Sequence, residues 1–215
     1  GDAGQVHGPL ARDAEDAAFM LDAMIGLDPL WPMSAAAPWQ SALDQMRSQA
    51  GTRGLRVAYI RDLAGIGVDA EIDHICREAL GALARAGVDV EEIGFDASDG
   101  IDAYKVLRGA WMVGQQFRLL ERLDELGANL AGNVRDGLAL GAVDIARAEH
   151  VRESLITRFA EQLRKFDFLV TPAAPVLPFP VEQNFPDMVG GRRLGNYIDW
   201  IAPAFLVTMV GLPAG

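Results

Sequence analysis

Cysteine is all but missing from this chain: Cys76 is the only one, which excludes an intramolecular disulfide and a thiolate metal cluster and fits a reducing, cytoplasmic setting. Histidine is scarce as well. His7, His74 and His150 lie far apart with no H-x-x-x-H or H-x-H spacing, so each is read as structural or solvated and no metal site is expected. Positive charge is outnumbered, with 19 Lys and Arg against 30 Asp and Glu, and a formal charge of −11 speaks against a nucleic-acid partner. The densest basic run, Gly190-Gly191-Arg192-Arg193, reads as a loop tip with two solvated arginines. No apolar run approaches the length of a bilayer span and no secretory h-region is found, so no membrane partner is expected. Phosphate cradles are lacking too: Gly65-Ile66-Gly67 has no third glycine, and no Gly-Lys-Ser/Thr follows a glycine-rich turn.

What is present is the makeup of one α/β domain over residues 1–215, with 50% hydrophobic and 23% charged residues. Asp13 stands at an N-cap ahead of Ala17, Ala18, Leu21, Met24 and Ile25 at helical spacing. A proline-punctuated connector, Gly26 to Trp39, carries two tryptophans expected to pin it to the core, and residues 40–50 can form a short helix. The clearest unit follows. Leu55 to Ile60 reads as a strand, and Asp69 to Ala86 as a helix capped by Asp69 with Ile72, Ile75, Cys76, Ala79 and Leu83 on one face. Gly87 is its stop and Val88 to Ile93 a second strand. Strand, helix and strand in this order predict a right-handed parallel crossover.

From residue 99 to 165 the pattern is helical: 99–126, a shorter piece near 132–140, and 144–165, with Ser98 ahead as a cap. The stripe Tyr104, Trp111, Met112 and Phe117 reads as core. Phe168 to Thr171 is a short strand ending at Pro172, and the proline-rich residues 172–186 must form an extended loop. Such loops beyond the carboxyl ends of strands are where α/β sheets bind ligands. Residues 196–210 are apolar and divided by Pro203, with helix before it and helix or buried strand after.

Nucleophilic catalysis by serine needs a hydroxyl on a tight turn, a base within reach and amides aimed at the oxyanion. Ser34, Ser41, Ser48, Ser98 and Ser154 sit in a connector, in helices or at a cap. None has that setting. Glu91-Glu92, at a strand exit, are read as solvated charges.

Four blocks nevertheless occur in a telling order: "GPLARDAEDAAFMLDAM", "GLRVAYIRDLAGIGVDAEI", "FDFLVTPAAPVLPFP" and "GLPAG". Together they resemble the amidase signature family, whose Gly-Pro-Met/Leu-Ala-Arg helix, Leu-Arg strand, Phe-Asp-(hydrophobic)₃-Thr-Pro segment and Gly-Leu/Gln-Pro-Ala stretch they match. The resemblance implies an α/β/α sandwich, of which this chain is the C-terminal part, with a mixed sheet and flanking helices. It also implies hydrolysis of carboxamides by a Ser, cis-Ser, Lys triad without a cofactor. The family carries that triad upstream of the Gly-Pro-Leu-Ala-Arg block, so the catalytic half is expected to lie outside this chain and the chain alone to be inactive. Truncation, cleavage or gene splitting would account for that. Lys105 and Lys165 fall outside the family's motif and receive no catalytic role. By the same resemblance Tyr197, Asp199 and Trp200 are candidate substrate-binding residues, although Tyr197 and Trp200 can equally anchor a helix on the core. Thr208 replaces the asparagine that many members carry three residues before the Gly of Gly-Leu-Pro, which weakens any transfer of glutamine recognition from the tRNA-dependent amidotransferases of the family. The expected partner is a small-molecule amide. A sandwich lacking half its sheet would expose apolar surface, making a homodimer through that face a further expectation. The alternative is a noncatalytic amidase-like module that binds a partner subunit or small ligand.

Overall fold

The computed structural model describes residues 7–30, 34–37, 39–48 and 51–215. The chain divides into two compact units, Val6–Thr52 and a larger one containing Arg53–Gly215.

In the smaller unit, helix α1 (Ala14–Met24) starts where the sequence places it. Asp13 is extended at φ −144° and its Oδ1 accepts from the Asp16 N–H at 2.8 Å. Helix α2 (Ala42–Ser48) is capped twice: Ser41 Oγ accepts from the Asp44 N–H at 3.0 Å, while the Asp22 carboxylate accepts from the Ser41 hydroxyl and the Ala42 and Leu43 amides. Those bonds, that from Ala42 first, hold the Asp22 carboxyl below its ordinary value. The connector's Trp31 lies outside the described residues. Trp39 is 40% exposed, so it does not bury itself as an anchor would.

In the larger unit, strand β1 (Arg56–Tyr59), helix α3 (Ala70–Arg85) and strand β2 (Asp89–Glu92) form the parallel crossover, with Val57 opposite Val90. Strand β3 (Phe168–Val170) joins the other side of β1, also parallel, in the order β2-β1-β3. The antiparallel part of a mixed sheet is confined to a separate ribbon of β4 (Met188–Val189) and β5 (Arg192–Arg193). Gly87 stops α3 at φ +94°, a conformation that glycine reaches without cost.

Two details of this unit depart from expectation. The Asp69 side chain does not cap α3; its Oδ1 accepts instead from the Gly190 N–H at 2.8 Å. The inward stripe of α3 is Ile72, Cys76 and Leu80, whereas Ile75, Ala79 and Leu83 are exposed. Glu92 is likewise not merely solvated, since Arg77 donates to both of its oxygens, at 2.7 and 3.0 Å.

Helix α4 (Gly100–Gln115) is shorter than its pattern predicts, ending at Gln116 and giving way to a 3-10 run, Phe117–Glu125. Leu120, Leu123 and Leu126 recur every third residue and are half-buried, which matches three residues per turn rather than 3.6. Phe117 thereby leaves the stripe and is 71% exposed. Ser98 does not stand as the cap; Asp99 precedes the first helical residue and pairs with Arg158 at 2.6 Å. Helix α5 (Ala128–Leu138) follows, then α6 (Ala142–Leu163), where Asp144 Oδ2 accepts from the Gly141 N–H at 2.9 Å.

The chain crosses the proline-rich loop without regular structure and turns through Gly190 and Gly191, at φ +53° and +81°, into the β4–β5 ribbon. Arg192 is exposed yet not a free loop tip, because its guanidinium donates to the Gly65 carbonyl. A 3-10 turn, Asp199–Ile201, leads into helix α7 (Ala202–Met209). Pro203 opens this helix instead of dividing the segment, since a first-turn proline gives up an N–H that has no intrahelical partner. Helix α7 supplies the centre of the core: Leu206 is fully buried with Leu155, and Phe205 stacks on Tyr104 at 4.0 Å between ring centroids.

Candidate functional site

Polar side chains from α4 and α5, and Phe179 of the proline-rich loop, converge on residues 196–200. Asn196 Oδ1 accepts from the Ile198 and Asp199 amides at 2.9 and 3.0 Å, an Asx turn that sets the 3-10 segment, and its Nδ2 donates to Asp199 Oδ2 at 2.7 Å. The Lys105 ammonium lies 2.8 Å from Asp199 Oδ1 and 3.6 Å from Asp102. The first contact is an ion pair approached off the hydrogen-bond direction. Lys105 and Arg108 sit one turn apart on α4, and Arg108 Nη2 donates to Tyr197 Oη at 3.3 Å. On α5, Asn133 Nδ2 donates to the Asn129 carbonyl at 2.6 Å and to Tyr197 Oη. Asn129 and Asn184 exchange amide bonds at 2.9 and 3.4 Å, tying α5 to the loop. Trp200 meets Phe179 of that loop edge to face, 5.4 Å between centroids.

Each of the three sequence-predicted residues therefore has a distinct partner. Asp199 is neutralised by Lys105, Tyr197 is held by Arg108 and Asn133, and Trp200 packs on the proline-rich loop. Sequence reasoning missed Lys105, Arg108 and Asn133, the helical residues that hold Asp199 and Tyr197, and Asn129, whose carbonyl accepts from Asn133. Lys105 with Arg108 and Asn129 with Asn133 have the spacing of one helix face, but solvated surface residues have it too.

The serines do other work. Ser34 Oγ donates to the Gly26 carbonyl at 3.1 Å, Ser41 to Asp22 at 2.7 Å and Ser48 to the Gln45 carbonyl at 2.9 Å, while Ser154 is exposed on α6. Among the described residues no serine hydroxyl is bonded to lysine or histidine, and no helix is long and apolar enough to cross a membrane. His74 is solvated on α3, 3.5 Å from Glu78.

A parallel three-stranded sheet flanked by helices, with polar and aromatic groups gathered beside a long loop that follows a strand, defines the chain as an α/β protein. The sequence matches the Amidase family over residues 3–215, and the chain belongs to that family. It is 29% identical over 202 residues to an acylamidase of Rhodococcus erythropolis, covering 91% of this chain and 41% of that protein. It is 29% identical over 181 residues to an amidase of Pseudomonas putida, covering 82% of this chain and 37% of that protein. Among solved structures, a bacterial aryl acylamidase of the amidase signature family superposes with a TM-score of 0.82 at 18% identity, covering 95% of this chain and 44% of that one. A 6-aminohexanoate cyclic dimer hydrolase superposes at 0.76 and 17% identity, covering 94% and 45%. The fold is that of the amidase signature enzymes, and the chain spans less than half the length of these relatives.

Proposed function

We propose that residues 1–215 form the C-terminal portion of an amidase that cleaves the carbon–nitrogen bond of carboxamides. In this reading the chain supplies scaffold and substrate-pocket wall, and sequence upstream of the Gly-Pro-Leu-Ala-Arg block contributes the Ser, cis-Ser, Lys triad. The observation that carries the reading is the family match over residues 3–215 in a chain spanning less than half of its relatives. In such a reaction the serine attacks the amide carbon, ammonia or an amine leaves, and water cleaves the acyl-enzyme. The residues of this chain bind and orient: Tyr197 presents a phenol and Trp200 an apolar ring, and Asp199 contributes to the same wall as a carboxylate already paired with Lys105. A second reading is a noncatalytic amidase-like module that binds a partner subunit or small ligand; Ser34, Ser41 and Ser48, whose hydroxyls are spent on Gly26, Asp22 and Gln45, fit it as well as they fit the first.

The test is to assay the purified chain against simple aliphatic and aryl amides, alone and mixed with the upstream half expressed separately. No hydrolysis above background alone and activity on mixing is the expected result. Activity of the chain alone would overturn it, most directly if that activity survives replacement of all five serines and disappears with Lys105 or Lys165. No gain on mixing with a folded upstream half favours the noncatalytic module. In the assembled enzyme Trp200→Ala is expected to change the relative rates of aryl and aliphatic amides by about tenfold. Equal loss for every amide together with a lowered Tm would make Trp200 a structural anchor only.

A further inference from the structure

Hydrogen-bond accounting at Tyr197 leaves one donor without an acceptor among the described residues. Asn133 Nδ2 lies within reach of both the Asn129 carbonyl and Tyr197 Oη. An oxygen in its place would face that carbonyl oxygen, so the orientation of the amide is determined and both of its hydrogens are spent. Arg108 can only donate, and it too points at Tyr197 Oη. A phenolic oxygen that accepts from two donors has one hydrogen left to give, and among the described residues none accepts it. Arg108 itself is half-buried and has no carboxylate partner among the described residues. Asp199 is taken by Lys105 and Asn196, and Asp124 by Arg135.

We propose that Tyr197 and Arg108 are paired donors that hold a carboxylate on the substrate, so that the enzyme selects amides bearing an acidic group. The inference rests on the amidase reading for its substrate class. A neutral carbonyl would satisfy the Tyr197 hydroxyl alone, but it would leave the Arg108 guanidinium uncompensated in a half-buried position. An anion satisfies both. Asn133 acts through Tyr197 as a positioning residue, fixing which way the phenol donates.

Succinamate and its neutral analogue butanamide separate these cases. Calorimetric titration of the chain is expected to show succinamate binding about tenfold more tightly or better, the worth of one hydrogen bond to a charged group. Tyr197→Phe and Arg108→Gln should each weaken succinamate by about tenfold and butanamide by less, with Arg108→Lys recovering part of the loss. Circular dichroism checks folding, and if Arg108→Gln fails to fold, Tyr197→Phe, which removes a single oxygen, carries the test. No preference between the two ligands, or equal weakening of both, overturns the proposal. The assembled enzyme assayed with the same pair distinguishes the two readings. Cleavage of both amides without preference leaves an amidase and removes the carboxylate site. Arg108-dependent succinamate binding without cleavage of any amide leaves the site and removes the amidase.

Discussion

Gly137→Ala is expected to destabilise the protein by about 3 kcal/mol, lowering Tm by roughly 6–12 °C for a chain of this size. Helices α4 and α5 cross with backbone nearly touching backbone. A Cβ at Gly137 would lie 2.2 Å from the Gly109 carbonyl oxygen, 2.6 Å from its carbon and 2.8 Å from Val113 Cγ2. Alanine favours a helix interior over glycine by only about 1 kcal/mol, and the obstructing atoms are backbone that cannot rotate aside, so the clash wins. Gly132 on the same helix is the internal control. A Cβ there meets nothing within 4 Å, and Gly132→Ala should be neutral or stabilising. Denaturant unfolding of both variants checks the difference in sign, and a Gly137→Ala as mild as Gly132→Ala would show that the crossing is loose. The site shares in the consequence, because α4 carries Lys105 and Arg108 and α5 carries Asn129 and Asn133. Prising these helices apart should abolish the selectivity expected of Tyr197 along with the stability.

Replacing Asp73 by alanine is expected to cost about 1–3 kcal/mol at neutral pH, chiefly by stranding the buried Tyr59 hydroxyl. Tyr59 is 1% exposed at the carboxyl end of β1 and donates to Asp73 Oδ1 at 2.9 Å. Arg61 and Arg77 reach the same carboxylate at 3.0 and 3.1 Å, and Arg77 lies 5.4 Å from the centre of the Tyr59 ring. In Tyr59→Phe the hydroxyl is gone, so Asp73→Ala should cost less there than in the wild type. Additive losses would mean that the pair is not coupled.

The same cluster sets limits at both ends of the pH scale. Burial first, and the bond to Asp73 next, raise the Tyr59 phenol well above its ordinary 10.0. The unfolded chain therefore loses that proton first, and stability declines as pH rises through and above about 10, a decline that Tyr59→Phe removes. For Asp73, burial alone would raise the carboxyl, but hydrogen bonds from Arg77, Tyr59 and Arg61 outweigh it and hold it below 3.8. That contribution is present above the unfolded value and is lost as pH falls through the folded one. Melting curves across pH read both limbs.

Local pattern reached far into this protein. Asp13 and the apolar spacing behind it specify α1. Strand, helix, Gly87 and strand specify the parallel crossover, because an Asp-led apolar periodicity and a left-handed glycine are properties of a few consecutive residues. The four ordered blocks carried the family. Where local pattern ended, so did legibility. The periodicity of α3 marks Ile75 and Leu83 as apolar but cannot say how wide a surface will cover them, and the run toward Leu126 shows apolar residues without saying that the turn will tighten at Gln116.

By itself the sequence determined α1, the β1-α3-β2 unit and its parallel sense, which follow from short-range spacing and turn chemistry, while four blocks in order carried the family and, through that resemblance, the expectation placed on Tyr197, Asp199 and Trp200. Only the tertiary structure decided who holds those three. Tyr197 is 64 residues from Asn133 and 89 from Arg108 along the chain. An arginine that will face a phenol is written no differently from one that will face water. The choice is made by the close crossing of α4 and α5 at Gly109 and Gly137, which brings two polar helix faces to one turn. That crossing is a property of the two packed helices and of neither helix alone.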